Sequence, residues 1–163
     1  MKHTITILVE NHFGVLARVS GMFSTRGYNI DSLCVGETEN PAISRMTVVV
    51  RGDDEVIHQI INQLNKLVEV IEVTDLSKES YVERELVMIK VTADGTRREI
   101  IEIASIFRAK VIDVGSQSLI VEVTGSEGKV NAFIDMMRPF GIQELARTGE
   151  IAVMRAPKGS QGS

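Results

Sequence analysis

Tryptophan is absent from this 163-residue chain, and aromatic residues of every kind make up only 4% of it. Ile, Val, Leu and Met must therefore build the interior, and the methionines read as core fillers. So few aromatics also argue against a surface that stacks nucleobases. Cys34 is the single cysteine, so no intrachain disulfide forms, and the composition fits a reducing compartment. In a β-rich run it reads as a small buried apolar residue. His3, His12 and His58 are scattered without metal-ligand spacing. No nucleophile–base pair, paired catalytic carboxylates or metal cluster stands out, so no catalytic and no metal-binding residue is assigned. Cations are outnumbered, 18 Lys and Arg against 22 Asp and Glu, for a net charge of -4. That balance argues against non-specific binding to nucleic acid or anionic membranes. The longest apolar runs are too short to cross a bilayer. Met1-Lys2-His3-Thr4 leads directly into strand pattern, so no signal peptide is expected and a cytoplasmic location follows.

What is present is a repeated alternation of strand and helix patterns. Residues 4–9 are β-branched and read as a strand. Val15, Leu16, Val19, Met22 and Phe23 form an apolar stripe at helical spacing over residues 14–26. Strands follow over 28–37 and 43–51, with Met46, Val48 and Val50 on one face. Asp53 reads as the N-cap of a second helix whose buried face carries Val56, Ile57, Ile60, Ile61, Leu64 and Leu67. A strand over 68–75 completes β-α-β-β-α-β. After a polar break at Ser77-Lys78-Glu79-Ser80 the pattern recurs. A strand spans 83–92, and Thr96 and Glu99 have capping-box spacing ahead of a helix. Strands over 110–114 and 118–124 turn at Gly115-Ser116. A helix capped by Ser126 bears Val130, Phe133, Ile134 and Met137 and ends at Pro139 and Gly141. A last strand covers 150–155.

The fold class expected is α+β: two tandem ferredoxin-like (split βαβ) units, each with an antiparallel four-stranded sheet and helices on one face. The units are placed at 1–76 and 82–156, followed by a disordered tail over 157–163. The other sheet face and the edge strands are left available, which favours a dimer. Arg97-Arg98 and Glu83-Arg84-Glu85 read as solvated charge, and Gly125-Ser126-Glu127-Gly128-Lys129 as a helix N-cap rather than a phosphate loop.

The first strand–loop–helix connection carries the functional signal. A helix N-terminus offers free N–H groups and the positive end of its dipole, which suits a carboxylate. Gly14 lets a ligand approach the backbone, with the amides of Gly14, Val15 and Leu16 as donors. Val15 and Leu16 add apolar surface, and Asn29 can accept from an ammonium group. Each residue also has a plain role: Asn11 as a cap or Asx turn, Gly14 as a turn, Asn29 as a strand start. The rivals to an amino-acid sensor are an RNA-binding module on the same sheet and a stand-alone enzyme.

The run Asn11-x-x-Gly14-x-Leu16-x-x-Val19-x-x-x-Phe23, followed by Gly27-Tyr28-Asn29-Ile30-Asp31-Ser32-Leu33, resembles the ACT domain. Together with Ser44-Arg45-Met46-Thr47, Val82-Glu83-Arg84-Glu85-Leu86 and Phe107-Arg108-Ala109-Lys110-Val111-Ile112-Asp113-Val114, it is similar to the small regulatory subunits of acetolactate synthase. The resemblance implies a non-catalytic chain that binds a large catalytic subunit, raises its activity and confers feedback inhibition by valine or another branched-chain amino acid. It implies no cofactor in this chain, with thiamine diphosphate, magnesium and FAD on the catalytic partner. It implies a homodimer through the ACT domains, with Asn11, Gly14, Val15, Leu16, Asn29 and Ile30 lining an effector site between two of them. His12-Phe13 is bulky for such a loop. The second unit opens its helix with Ala93-Asp94-Gly95-Thr96 and lacks the Asn-x-x-Gly loop, which points to a partner-binding or dimerising role there.

Overall fold

Alternating side chains fix the first sheet. In the structure, a computed structural model describing residues 1–159, the chain opens with β1 (Lys2–Glu10), α1 (Val15–Thr25), β2 (Ile30–Glu37), β3 (Ile43–Arg51), α2 (Asp54–Asn65) and β4 (Val70–Asp75). The sheet order is β2-β3-β1-β4, and every neighbouring pair is antiparallel. Ile5, Ile7 and Val9 of β1 share an inward face with Met46, Val48 and Val50 of β3, and Val15, Val19, Phe23, Ile57, Ile60 and Leu64 of the helices close over them. Each such fully buried side chain contributes roughly 1.5–3 kcal/mol. Val56, Ile61 and Leu67 pack at the rim of this core. Asp53 caps α2 as expected, its carboxylate accepting from the N–H of Val56 at 2.9 Å.

A second β-α-β-β-α-β unit repeats the plan with β5 (Tyr81–Thr92), α3 (Arg97–Ile106), β6 (Lys110–Val114), β7 (Ser118–Gly125), α4 (Glu127–Met137) and β8 (Ile142–Arg147). Its sheet runs β6-β7-β5-β8, and β9 (Ile151–Met154) adds a fifth strand by pairing with β5. Ile89, Ile100, Leu119, Phe133 and Met137 are among its fully buried residues, and Phe107 meets Phe133 edge-to-face at 5.3 Å between ring centroids. The repeat extends to register. Leu8 faces Glu72 on β4 and Lys90 faces Glu144 on β8, and each partner strand carries a β-bulge at the next step.

Several expectations change. The strand completing the second β-α-β-β-α-β pattern is β8, a mostly exposed segment with weak alternation that sequence periodicity passes over. The last strand does not fill that place. By compactness the chain divides into Met1–Val82 with the described residues from Glu150 on, and Glu83–Gly149. The outer face of the first sheet is accordingly not open: Thr4, Thr6, Thr47 and Val49 are buried there. Glu150 is buried against that face, accepting from Lys2 Nζ and Thr4 Oγ1, both at 2.8 Å, while its N–H donates to Ser32 Oγ at 3.1 Å. Methionine is only partly a core residue: Met46 and Met137 are buried, whereas Met1, Met88, Met136 and Met154 are exposed. Two phenylalanines, Phe23 and Phe133, are the largest fully buried side chains instead. Cys34 is half-buried. Thr96 stands at the N-cap of α3 but its hydroxyl makes no capping bond. Arg97 is not simply solvated, since its Nη2 donates to the carbonyls of Gly115 and Ser116 and holds that turn. Glu85 is buried and paired with Arg147 at 2.6 Å. Residues 157–159 are exposed and outside any helix or strand, and the rest of the expected tail lies outside the described residues.

Candidate functional site

Between β1 and α1 the chain makes a short exposed loop. Asn11 anchors it: its N–H donates to the carbonyl of Ala42 at 2.8 Å, and its Nδ2 donates to the carbonyl of Pro41 at 2.9 Å and to Glu37 Oε1 at 3.2 Å. The amide group thus ties the loop to the β2–β3 turn, and Oδ1 keeps its lone pairs without a protein donor among the described residues. Gly14 occupies the N-cap of α1 at φ 86°, ψ -10°, a left-handed conformation that side-chain-bearing residues avoid. With no side chain there, no side-chain oxygen caps the helix. Arg18 N–H supplies the bond to the Gly14 carbonyl at 3.0 Å, and Val15 N–H reaches only the His12 carbonyl at 3.4 Å. The N–H groups of Leu16 and Ala17 have no backbone partner outside the helix among the described residues. Open donors therefore sit at the positive end of the α1 dipole.

Around these donors Phe13 is fully exposed and Leu16 is 48% exposed, giving apolar surface in solvent. Val15 differs from expectation, because its side chain lies in the core at 4% exposure and only its backbone faces the loop. His12 is exposed, its Nε2 3.0 Å from Glu10 Oε2. Arg18, one turn into α1, is paired with the buried carboxylate of Glu69.

Asn29 and Ile30 are not brought to this loop within one chain. Ile30 pairs with Val50, near the Lys2 end of β1, whereas Glu37 pairs with Ser44, near the Glu10 end. Asn29 and the Asn11 loop thus lie at opposite ends of β2, roughly 25 Å apart at 3.3 Å per residue. Asn29 is exposed, and Ile30 is half-buried against the core. β2 is an edge strand, so one side of its backbone is unpaired in the monomer. Alternation along β2 and β3 assigns faces and not directions, so this separation follows only from the antiparallel order of the strands.

Among the described residues no group of three or more His, Cys, Asp and Glu could hold a metal ion, and no helix is long and apolar enough to cross a membrane.

A four-stranded antiparallel sheet with both helices on one face, and a glycine at the cap of its first helix, defines an ACT-type module of ferredoxin-like architecture, here followed by a second unit of the same plan. Family models agree for both parts: residues 5–72 match the AHAS small subunit-like ACT domain, and residues 84–156 match the small subunit of acetolactate synthase. The chain belongs to the family of acetolactate synthase small subunits. It is 58% identical to a probable acetolactate synthase small subunit of Archaeoglobus fulgidus, over 97% of this chain and 99% of that protein. It is 49% identical to the acetolactate synthase small subunit of Mycolicibacterium smegmatis, over 96% of this chain and 93% of that protein. The crystal structure of the small subunit from Thermotoga maritima superposes with a TM-score of 0.91 at 43% identity, covering 97% of this chain and 99% of that one.

Proposed function

We propose that this chain is the non-catalytic regulatory subunit of acetolactate synthase, that it binds and activates the large catalytic subunit, and that it confers feedback inhibition by valine or a related branched-chain amino acid. The family membership supports the partner. Thiamine diphosphate, magnesium and FAD belong to that partner, and nothing in this chain is assigned to hold them.

One observation carries the effector reading: the open N–H groups of Leu16 and Ala17 and the free side chain of Asn29 stand at opposite ends of one unpaired edge strand. Two copies that pair their β2 edges antiparallel about a two-fold axis bring the Asn29 of each copy to the Asn11 loop of the other. The carboxylate of valine then sits on the amides at the α1 N-terminus, and its ammonium group on the oxygens of Asn11 and the other copy's Asn29. Leu16 and the other copy's Ile30 meet its side chain. Binding requires the pair of ACT domains, so valine and dimerisation are linked. Inhibition follows if valine binds the low-activity arrangement of the complex more tightly, and a coupling of about 1–3 kcal/mol gives several-fold to hundred-fold shifts.

The test is reconstitution with the large subunit. Gly14→Asp puts a like charge beside the carboxylate and a side chain at a positive φ. It is expected to retain activation and lose valine inhibition. A Gly14→Asp complex as sensitive to valine as wild type removes the site assignment. The dimer requirement is tested by diluting the isolated chain, where valine affinity and dimer population should fall together.

A further inference from the structure

The outer face of the first sheet holds a second, chemically different recess. One transverse row there reads Arg45–Leu8–Glu72, with Leu8 of β1 the register partner of Arg45 on β3 and of Glu72 on β4. Thr6 and Thr74 stand side by side in the next row. These residues, with Leu76 and the chain end at Val153 and Met154, line a cavity of ≈ 180 Å³. Thr6 and Leu76 at its floor are buried. Its rim carries opposite charges on strands separated by one strand, roughly 9–10 Å between backbones. Neither Arg45 nor Glu72 pairs with another described residue, in contrast to Arg18 with Glu69, Arg51 with Asp31 and Arg147 with Glu85.

We propose that this cavity binds a small zwitterionic α-amino acid, its carboxylate on the Arg45 guanidinium and its ammonium on the Glu72 carboxylate. A ligand with only one charge satisfies one rim residue and is repelled by the other. A zwitterion satisfies both, and Arg offers two parallel N–H donors to a carboxylate. The hydroxyls of Thr6 and Thr74 supply further hydrogen bonds, and Leu76, Val153 and Met154 receive an aliphatic side chain. The volume falls below the 300–1,000 Å³ of ordinary cofactor and drug sites, which excludes a nucleotide-sized molecule. The recess lies across the sheet from α1 and α2, so it is distinct from the Gly14 loop. β9 forms one wall, so an occupant bridges the sheet and the returning chain end.

Equilibrium dialysis of the full chain with radiolabelled valine tests this in the Gly14→Asp background, which removes the loop site. The Gly14→Asp chain should retain one valine per chain. Adding Arg45→Met or Glu72→Gln, both at exposed positions that leave the core intact, should weaken that retention at least tenfold. Isovalerate, which has the carboxylate and branched chain but no ammonium, should fail to compete. Valine retention that vanishes in Gly14→Asp alone, or that is unchanged by Arg45→Met and Glu72→Gln, overturns the proposal. Failure of the loop assignment reads differently: Gly14→Asp then binds as many valines as wild type, and only the rim variants reduce the number.

Discussion

The hydroxyl of Thr4 donates to Oε1 of Glu150 at 2.8 Å, a buried hydrogen bond between residues 146 positions apart in sequence. The same carboxylate takes the ammonium of Lys2 on its other oxygen at 2.8 Å. Burying a carboxylate is costly unless its lone pairs are taken, and here both oxygens have donors. Glu150→Ala removes both bonds at once and leaves the buried Thr4 hydroxyl without its acceptor. The expected cost is about 2–3 kcal/mol, read as a lower urea midpoint at constant m-value.

Helix caps give a contrasting pair. Asp53→Ala removes a carboxylate that accepts from the Val56 N–H, and should cost about 1 kcal/mol. Thr96→Ala occupies the corresponding place on α3, where the hydroxyl makes no capping bond, and should change stability by less than about 0.5 kcal/mol. Equal losses at the two positions in thermal unfolding would contradict the assigned cap geometry.

Two glycines of the first helical connection should respond with opposite sign. A Cβ at either Gly14 or Gly21 meets no heavy atom within 4 Å. Only Gly14 has a positive φ, of +86°. Gly14→Ala should therefore destabilise by about 1–2 kcal/mol through backbone strain alone. Gly21→Ala, inside α1, should stabilise by about 0.5–1 kcal/mol. Calorimetry of the two single variants checks both.

The phenylalanines separate core from surface. Phe133→Ala empties a fully buried site beside Phe107 and should cost about 3–5 kcal/mol. Phe13→Ala, at a fully exposed position, should leave monomer unfolding within about 0.5 kcal/mol of wild type. Any effect of Phe13→Ala should appear in dimer affinity or valine response, measured by sedimentation and inhibition assays.

Much of this was legible in the sequence because both cores announce themselves. The period-2 run Met46-Val48-Val50 and the helical set Ile57-Ile60-Leu64 each name a buried face without any partner in view. The edge strand β8 was not legible, since Gln143, Glu144 and Arg147 face solvent whichever way they point. The returning chain end was hidden for a different reason. Thr4, Thr6 and Thr47 are polar, so alternation assigns them to an open face, and only the long-range bonds of Glu150 reveal that they are covered. At the candidate site, the loop glycine and its helix could be read directly. The separation of Asn29 from that loop could not, because it depends on the order of strands in the sheet rather than on spacing along the chain.

The bulges of β4 and β8 carry a practical consequence. Each inserts one unmatched residue at the same step, Ile71 against Leu8/Val9 and Gln143 against Lys90/Val91. Such a bulge leaves one residue unpaired and bends its strand locally. The surroundings of that residue differ between the halves: Ile71 is left bare, while Gln143 lends its amide to the Thr92 hydroxyl at 3.0 Å. Segments grafted from one half into the other should thus be cut outside the kink, which both halves already share.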